Sequence, residues 1–223
     1  MIAQLQNASK RFTIGEEVID AVDNVSLDIA PGELVCVYGA SGSGKTTLLN
    51  LLAGIETPDA GQVVVAGKPL AGLDERRRAD IRLREIGVVF QTNNLLPEFT
   101  ARENVTLPLL VRGFTRADAD GAADAALKSV GLTDLGDRIP GRMSGGQRQR
   151  VGIARALAGE QGLLLADEPT GALDSDNSRQ LFALMRELCD DRSTAVLLAT
   201  HDPLAREFAD SVYLMVDGAV APQ

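Results

Sequence analysis

Alternating and continuous apolar segments occupy both ends of the chain. Residues 4–31 alternate apolar and polar positions, which is typical of antiparallel strands. Continuous apolar runs occur at residues 34–38, 162–166 and 195–199. Such runs suit parallel strands that are buried on both faces of a sheet. Together with a short apolar run at 63–65 and a hairpin pattern at 212–218, they predict both antiparallel and parallel sheet.

Helical periodicity fills most of the remaining sequence and makes the predicted class α/β. Helices are predicted at residues 46–53, 73–84, 115–130, 145–158 and 176–188. Gly54 and Gly131 are expected to end the first and third of these. The triplet 76–78 is all arginine and indicates either a basic patch or a solvated helix face. Mixed charge favours the solvated helix, with Asp74 placed four residues before Arg78 for pairing.

Composition limits the partners that the chain can take. The 223 residues carry 31 acidic and 22 basic side chains, for a net charge of -9. This charge argues against non-specific nucleic-acid binding and against direct docking on an anionic membrane, so a membrane would be reached through a partner protein. No signal peptide or membrane-spanning run is expected, and Cys36 and Cys189 are expected to be free thiols.

A glycine-rich loop carries the strongest chemical signal. The phosphate-binding loop pattern is matched in full by Gly39-Ala40-Ser41-Gly42-Ser43-Gly44-Lys45-Thr46, between a predicted strand and a predicted helix. Its backbone N–H groups and the positive end of the helix can hold phosphate oxygens. Lys45 can reach the outer phosphates, and the Thr46 hydroxyl suits Mg²⁺. A glycine turn that binds nothing is the alternative, which the flanking elements disfavour.

Two adjacent acids follow the apolar run at 162–166. Because side chains alternate along a strand, Asp167 and Glu168 should face different directions. Asp167 then suits Mg²⁺, and Glu168 is free to act as the general base towards water. A pair of surface acids would be the better interpretation if the phosphate loop were not also present.

The single histidine follows the run at 195–199. Open parallel sheets bind ligands beyond the carboxyl ends of their strands. Tyr38, Ala166 and Thr200 therefore bring the phosphate loop, the acid pair and His201 to one edge of the sheet. A lone histidine is usually structural, but this position favours a contact between His201 and the γ-phosphate.

A second anion-binding signal opens the helix predicted at 145–158. Ser144 and Gln147 have the spacing of a capping box, which is a local alternative. However, Gly145 and Gly146 weaken the first helical turn, so they indicate close approach of another group. An anion suits an open helix N-terminus. Since one phosphate loop is already complete, we expect this segment to complete the ATP site of a neighbouring copy.

The segment 144–147 resembles the signature motif of the ABC ATPases, and the resemblance covers residues 2–218. It implies a phosphate-loop NTPase fold with a RecA-like core and an antiparallel β-subdomain, over residues 1–91 and 159–223. It also implies a helical subdomain that carries the signature, over residues 92–158. The whole chain would be one ABC ATPase domain that binds and hydrolyses ATP with Mg²⁺, in a head-to-tail homodimer.

The resemblance also assigns roles to further residues. Gln91 resembles the glutamine that touches Mg²⁺ and the attacking water, and Asp174 resembles the loop residue that links the two ATP sites. Phe12 stands where the family usually has a tyrosine that stacks on adenine. A hydrophobic contact within the β-subdomain is the alternative. Thr47 belongs with the phosphate-loop contacts. Met143 replaces the usual leucine, a swap of similar volume that should be tolerated.

Three segments, 91–97, 100–105 and 166–175, look like the lipoprotein-release and macrolide-export subfamily. That resemblance implies an integral membrane permease as partner and a peripheral position on the cytoplasmic side of the membrane. The cargo would be an amphipathic lipoprotein, peptide or antibiotic. The alternatives are a soluble regulatory ABC ATPase and a cell-division ABC ATPase that moves no substrate.

Overall fold

The computed structural model describes residues 1–171 and 173–223. The strands are β1 (Ala3–Ile14), β2 (Glu17–Ile29), β3 (Leu34–Tyr38), β4 (Ala60–Val65), β5 (Lys68–Pro69), β6 (Ile86–Val89), β7 (Leu163–Asp167), β8 (Ala195–Thr200), β9 (Ser211–Val216) and β10 (Ala219–Pro222). They form a four-stranded sheet in the order β2-β1-β4-β5 and a six-stranded sheet in the order β10-β9-β3-β8-β7-β6. The first sheet is antiparallel throughout, as the alternating pattern of its sequence predicts.

The six-stranded sheet is parallel except at β10, which pairs with β9 in a hairpin. The turn residues Asp217 and Gly218 have φ of 46° and 81°, as a tight hairpin turn requires. The continuous apolar runs form β3, β7 and β8 in its centre. Their alternate residues point to opposite faces, so both faces must be covered by apolar side chains.

Short 3₁₀ helices lie at Thr133–Leu135, Pro140–Arg142 and Pro203–Glu207, and six α-helices complete the described architecture. The α-helices are α1 (Lys45–Leu52), α2 (Glu75–Glu85), α3 (Ala101–Val111), α4 (Arg116–Ser129), α5 (Gly145–Leu157) and α6 (Ser175–Arg192). Capping boxes begin α3 at Thr100 and α5 at Ser144. Gly54 and Gly131, with φ of 64° and 73°, follow the ends of α1 and α4 where the sequence predicts helix termination.

Two hydrophobic cores lie on opposite faces of the six-stranded sheet. One joins α1 and the antiparallel sheet to alternate residues of the central strands, including Val35 and Leu165. The other joins α3, α4, α5 and α6 to the intervening residues, including Cys36 and Leu164. The predicted α/β fold of a phosphate-loop NTPase is confirmed.

The predicted ion pair between Asp74 and Arg78 is wrong, whereas the predicted free thiols are present. The Asp74 carboxylate accepts a hydrogen bond from the Arg77 amide and caps α2. Arg78 pairs with Glu75 instead. The prediction of free thiols is confirmed, since Cys36 and Cys189 are both buried and unbridged. Burial raises the pKa of each thiol to about 11.

Candidate functional site

The glycine-rich loop connects β3 to α1 and exposes the first turn of that helix. Gly44 is the N-cap residue of α1, and no side chain caps the helix there. Its φ is 106°, and an added Cβ would lie 2.0 Å from the Ala21 carbonyl oxygen, so only glycine fits. The uncapped amides of α1 therefore remain available to an anion.

Lys45 lies across the loop that precedes it. Its Nζ donates to the carbonyl oxygens of Gly39 at 2.7 Å and Ala40 at 2.9 Å. The same ammonium lies 3.3 Å from Glu168 Oε1, and only 5% of the Lys45 side chain is exposed. The loop thus holds a nearly buried cation beside the carboxylate that follows β7.

Asp167 and Glu168 make different contacts, as predicted for adjacent acids at a strand end. Asp167 Oδ2 accepts a hydrogen bond of 2.9 Å from the Thr46 hydroxyl. Glu168 instead contacts Lys45 and His201. The backbone of Glu168 is left-handed, with φ of 44°, a conformation that a non-glycine side chain adopts only when its surroundings impose it.

The second carboxylate oxygen of Glu168 is held by the end of β8. Oε2 accepts from the Thr200 hydroxyl at 3.1 Å and from the His201 amide at 3.3 Å. His201 Nδ1 lies 2.9 Å from the same oxygen, while 67% of the His201 side chain is exposed. The carboxylate is therefore fixed in place, and the rest of the imidazole ring faces solvent.

The glycine-rich loop, Glu168 and His201 border a cavity of about 570 Å³, which we call the phosphate-loop cavity. Its lining includes the loop and α1 positions Ser41, Gly42, Gly44, Lys45, Thr46 and Thr47, together with Gln91, Glu168 and His201. Gln91 follows β6, so the three predicted catalytic residues are brought together. The remaining wall is a stretch of β2, residues 17–21, with Asp217 and Gly218.

Phe12 is not part of that lining. It lies on β1 opposite Ile19, and Ile19 does line the cavity. The Phe12 ring is partly buried, with Lys10 Nζ 5.4 Å from its centroid. The predicted adenine platform is thus next to the cavity wall, and Val18 and Ile19 form the apolar surface that faces the cavity.

The signature segment lies at a second cavity of about 510 Å³, the signature cavity. The capping box is present: Ser144 Oγ accepts from the Gln147 amide at 3.2 Å, and Gln147 Oε1 accepts from the Ser144 amide at 3.0 Å. An added Cβ at Gly146 would lie 3.1 Å from Leu173 Cδ2. Packing against Leu173 therefore gives a second reason for glycine at position 146, and the sequence pattern does not indicate it.

Asp174 lines the signature cavity and not the phosphate-loop cavity. Its carboxylate accepts from the Asn177 amide and from the Asn177 side chain, and it caps α6. These bonds, the backbone one first, lower the pKa of Asp174. Ala172, between Gly171 and Leu173 in the same predicted loop, lies outside the described residues.

The two cavities share no lining residue in the described parts of the chain. Each nevertheless presents a helix N-terminus: α1 at the phosphate loop and α5 at the signature. Ser144, Gly145, Gly146 and Gln147 are therefore not brought to the phosphate loop within one chain.

Asp167 and Thr46 fit a divalent cation held between protein and phosphate. Asp167 Oδ1 is buried and has no hydrogen-bond partner among the described residues. Burial, as the largest effect, raises the pKa of Asp167, and a cation would stabilise its ionised form. Within the described residues, no cluster of three His, Cys, Asp or Glu side chains could bind a metal without other ligands.

Sequence reasoning missed three contributors to the site. Thr200 orients Glu168, and its only sequence signal is its place at the end of a strand beside His201. Residues 17–21 enter the cavity wall because of strand register, which the alternating pattern does not show. Arg150 lines the signature cavity, and its guanidinium donates to Asn177 Oδ1 at 3.2 Å and to Gln180 Oε1 at 2.9 Å.

No helix in the described parts of the chain is long and apolar enough to cross a membrane.

Comparison with known proteins gives concordant matches. A sequence profile described as ABC transporter matches residues 22–171. The chain is 42% identical to the lipoprotein-releasing system ATP-binding protein LolD of Saccharophagus degradans, over 97% of this chain and 95% of that protein. It is also 42% identical to LolD of Bordetella pertussis, over 98% and 95% respectively.

Solved structures agree with these sequence matches. The structure is similar to a dimeric, post-hydrolysis state of the ATP-binding cassette MJ0796 bound to ADP and Pi, with a TM-score of 0.92 and 36% identity. The similarity covers 99% of this chain and 98% of that one.

Proposed function

Because this chain belongs to the ABC transporter family, as an ATP-binding and ATP-hydrolysing subunit, we propose that it drives a separate membrane permease by ATP-dependent, head-to-tail dimerisation. The observation that carries the proposal is the separation of the two cavities. One chain holds a phosphate loop at one cavity and a signature helix N-terminus at another, with no shared lining residue among those described. In a head-to-tail dimer, the signature cavity of each copy would face the phosphate loop of the other copy, and both ATP sites would be completed.

The phosphate-loop contacts suit an ATP triphosphate. Residues 39–47 supply backbone amides, the Lys45 ammonium and the hydroxyls of Thr46 and Thr47, and the partner copy would add Ser144, Gly145, Gly146 and Gln147. The Ser144 hydroxyl oxygen accepts from the Gln147 amide and still has its O–H to donate to a phosphate oxygen. Asp174 would lie at the same junction, since it lines the signature cavity.

Glu168 is the best-placed general base for the attacking water. Its carboxylate is fixed by Thr200 and His201, so it needs little reorganisation before accepting a proton. His201 would donate from its exposed ring edge to the γ-phosphate. Gln91, which follows β6 on the other side of β7 from β8, would orient the water. Positioned general bases of this kind accelerate reactions by about 10²–10⁴-fold.

Mg²⁺ fits the pair Thr46 and Asp167, with Gln91 as a third contact. The unpartnered Asp167 Oδ1 could accept from a water bound to the cation. When bound, Mg²⁺ would neutralise phosphate charge in the transition state. Thr46 and Asp167 already lie in hydrogen-bond contact, so the chain holds both groups at one point without the ion.

The chain divides, in our proposal, into a core and a helical subdomain. The ten strands of the described residues all lie outside 92–158, whereas α3, α4 and α5 lie within that range. Residues 1–91 and 159–223 would bind nucleotide, and residues 92–158 would carry the signature and contact the permease. The subunit would then lie on the cytoplasmic side of the membrane, held there by the permease.

The proposed cargo is a lipoprotein or a similar amphipathic molecule. This rests on the relatives named as lipoprotein-releasing system ATP-binding proteins, which match nearly the whole chain. A regulatory ABC ATPase or a cell-division ABC ATPase is less favoured. Lys45, Asp167, Glu168 and His201 are all present, and the relatives are named for a lipoprotein-releasing system.

A capture experiment tests the proposal. Tagged Glu168→Gln, in Mg-ATP, should co-purify from detergent-solubilised native membranes with an integral membrane protein that has a large extracytoplasmic domain. The matched control is Glu168→Gln combined with Ser144→Arg, which should bind ATP but fail to close a dimer. Recovery of soluble, ribosomal or DNA-bound proteins alone would contradict the transporter role.

A further inference from the structure

An arginine of the signature helix contacts the segment that follows Gln91. Arg155 lies on α5, ten residues after Gly145, and reaches the backbone beyond β6. Its Nη1 donates to the Asn94 carbonyl oxygen at 2.7 Å and its Nη2 to the Asn93 carbonyl oxygen at 2.8 Å. One guanidinium thus holds two consecutive carbonyl groups.

Arg155 has no carboxylate partner for its charge among the described residues. Among residues 1–171 and 173–223, no carboxylate forms an ion pair with it. Burial lowers the pKa of its guanidinium. A half-buried cation without a carboxylate partner is unfavourable unless its N–H groups are hydrogen-bonded, and the two carbonyl groups provide those bonds.

The segment that Arg155 holds is conformationally unusual. Asn93 and Asn94 both adopt left-handed backbone conformations, with φ of 61° and 45°. Asparagine tolerates this conformation better than most residues, but two in succession need outside support. Within the segment, the Thr92 hydroxyl donates to Asn94 Oδ1 at 2.8 Å, and the Asn93 amide donates to the Phe90 carbonyl at 3.1 Å.

The last turn of α5 is also fixed against β6. An added Cβ at Gly87 would lie 2.3 Å from the carbonyl oxygen of Ala156, so the helix backbone touches the strand there. Ala156 is the neighbour of Arg155, and Gly87 is four residues before Gln91. The C-terminal end of α5 is therefore joined both to the strand before Gln91 and to the turn after it.

The geometry points to Arg155 as a positioning residue that fixes Gln91 in the phosphate-loop cavity relative to the signature at the other end of α5. This inference rests on the proposed function, because it requires Gln91 to act in hydrolysis. Each chain would take part in two ATP sites, one at its own phosphate loop and one at the partner's phosphate loop, which its signature completes. Arg155 would connect these two sites rigidly through α5.

Two substitutions separate charge from geometry. Arg155→Lys keeps the charge but offers a single ammonium to two carbonyls, and Arg155→Met removes both bonds while keeping most of the apolar stem. We expect kcat for Mg-ATP hydrolysis by the full chain to fall roughly 10- to 100-fold in Arg155→Met, as for a misplaced catalytic group, and less in Arg155→Lys. Nucleotide affinity, measured with ATP in the absence of turnover, should stay within about twofold.

A double-mutant cycle with Gln91→Ala distinguishes positioning from general stability. If Arg155 acts through Gln91, Arg155→Met should add little to the defect of Gln91→Ala, because coupled residues are non-additive. Arg112→Met is the matched control. Arg112 donates to the Gly159 carbonyl in the same helical region, and within the described residues it forms no hydrogen bond or ion pair with residues 91–94. That variant should lose thermal stability without a comparable fall in kcat.

The outcomes separate the inference from its premise. If Gln91→Ala hydrolyses ATP like the unmodified chain, the proposed role of Gln91 fails. If Gln91→Ala is slow but Arg155→Met is unaffected, or if the two defects multiply, then Arg155 does not position Gln91 and the inference is overturned. Equal loss of kcat in Arg112→Met and Arg155→Met would also overturn it.

Discussion

Lys45 Nζ lies 3.3 Å from Glu168 Oε1, which joins the cation of the phosphate loop to the carboxylate beside the attacking water's expected position. Only 5% of the Lys45 side chain and 12% of the Glu168 side chain are exposed. Water screens such a pair weakly, so the charge of one side chain strongly affects the other. An incoming phosphate would compete with Glu168 for Lys45.

Glu168→Gln should separate ATP binding from hydrolysis. The amide keeps the shape and most hydrogen bonds of the carboxylate but cannot accept a proton from water, so we expect hydrolysis to fall about 10²–10⁴-fold. Removal of the negative charge beside Lys45 should leave ATP affinity equal or higher. Phosphate release and equilibrium binding of a fluorescent ATP analogue measure the two effects.

Lys45→Met provides the opposite control, since it should lose ATP affinity itself. Near-normal turnover by Glu168→Gln would show that Glu168 is not the base. Weaker ATP binding by that variant would show that the Lys45–Glu168 pair does not compete with phosphate.

Ser144→Arg should abolish hydrolysis while single subunits still bind ATP. The large cation would fill the signature cavity, but the phosphate-loop cavity shares no described lining residue with it. Light scattering after size exclusion, in the Glu168→Gln background with Mg-ATP, should show loss of the dimer.

Ser144→Ala is the matched control, because it removes the capping hydroxyl without adding bulk. Loss of the cap should cost about 1 kcal/mol of stability. If Ser144→Arg monomers no longer bound ATP, the signature would belong to the site of its own chain.

The sequence predicts the site's parts well because its strongest signals are local. The loop 39–46, the acids after β7 and the histidine after β8 each follow a strand, and parallel strand ends meet at one edge. Family resemblance predicts the role of Gln91, and this residue lines the same cavity. Each of these residues lies at this edge because it comes shortly after the last residue of a parallel strand.

Other features depend on contacts that sequence patterns do not encode. The left-handed backbone of Glu168 is imposed by its surroundings, since its amide donates to the Ala199 carbonyl at 2.8 Å. Thr200 meets Glu168 because β8 pairs with β7 in the sheet. The packing of Leu173 on Gly146 likewise joins segments that are distant in sequence.

Phe12→Ala should weaken ATP binding roughly tenfold if the ring stacks on adenine, since base–aromatic stacking contributes about 1–3 kcal/mol. Phe12→Tyr should bind ATP normally, because it keeps the ring. Ile19→Ala is the matched test of the cavity-facing residue across the strand pair. A larger loss of affinity in Ile19→Ala than in Phe12→Ala would place the base against β2. Isothermal titration with ATP measures all three.

Asp210→Asn should destabilise the fold near neutral pH and lose that effect in acid. Asp210 Oδ2 accepts from the Leu34 amide at 2.8 Å and from Arg186 Nη1 at 2.6 Å, which ties β3 to α6. Partial burial alone would raise the pKa of Asp210, but these bonds outweigh it and lower the pKa below its ordinary value. Since half of the side chain is exposed, we expect a cost of about 1 kcal/mol or less.

The sign of the pH dependence follows from the lowered pKa of Asp210. An acid with a depressed folded-state pKa stabilises the fold above its unfolded pKa of about 3.9 and loses that contribution as the pH falls through the folded value. The difference in unfolding free energy between the unmodified chain and Asp210→Asn should therefore be constant from neutral pH down to mild acid, and then shrink. Urea unfolding at a series of pH values measures this difference.

Glu187→Gln is the matched control for the change in net charge. Glu187 is an exposed carboxyl on α6, the helix that carries Arg186, and its replacement should change the unfolding free energy little at any pH. A gap that widened in acid would mean that protonated Asp210, not its carboxylate, is the form that the fold stabilises.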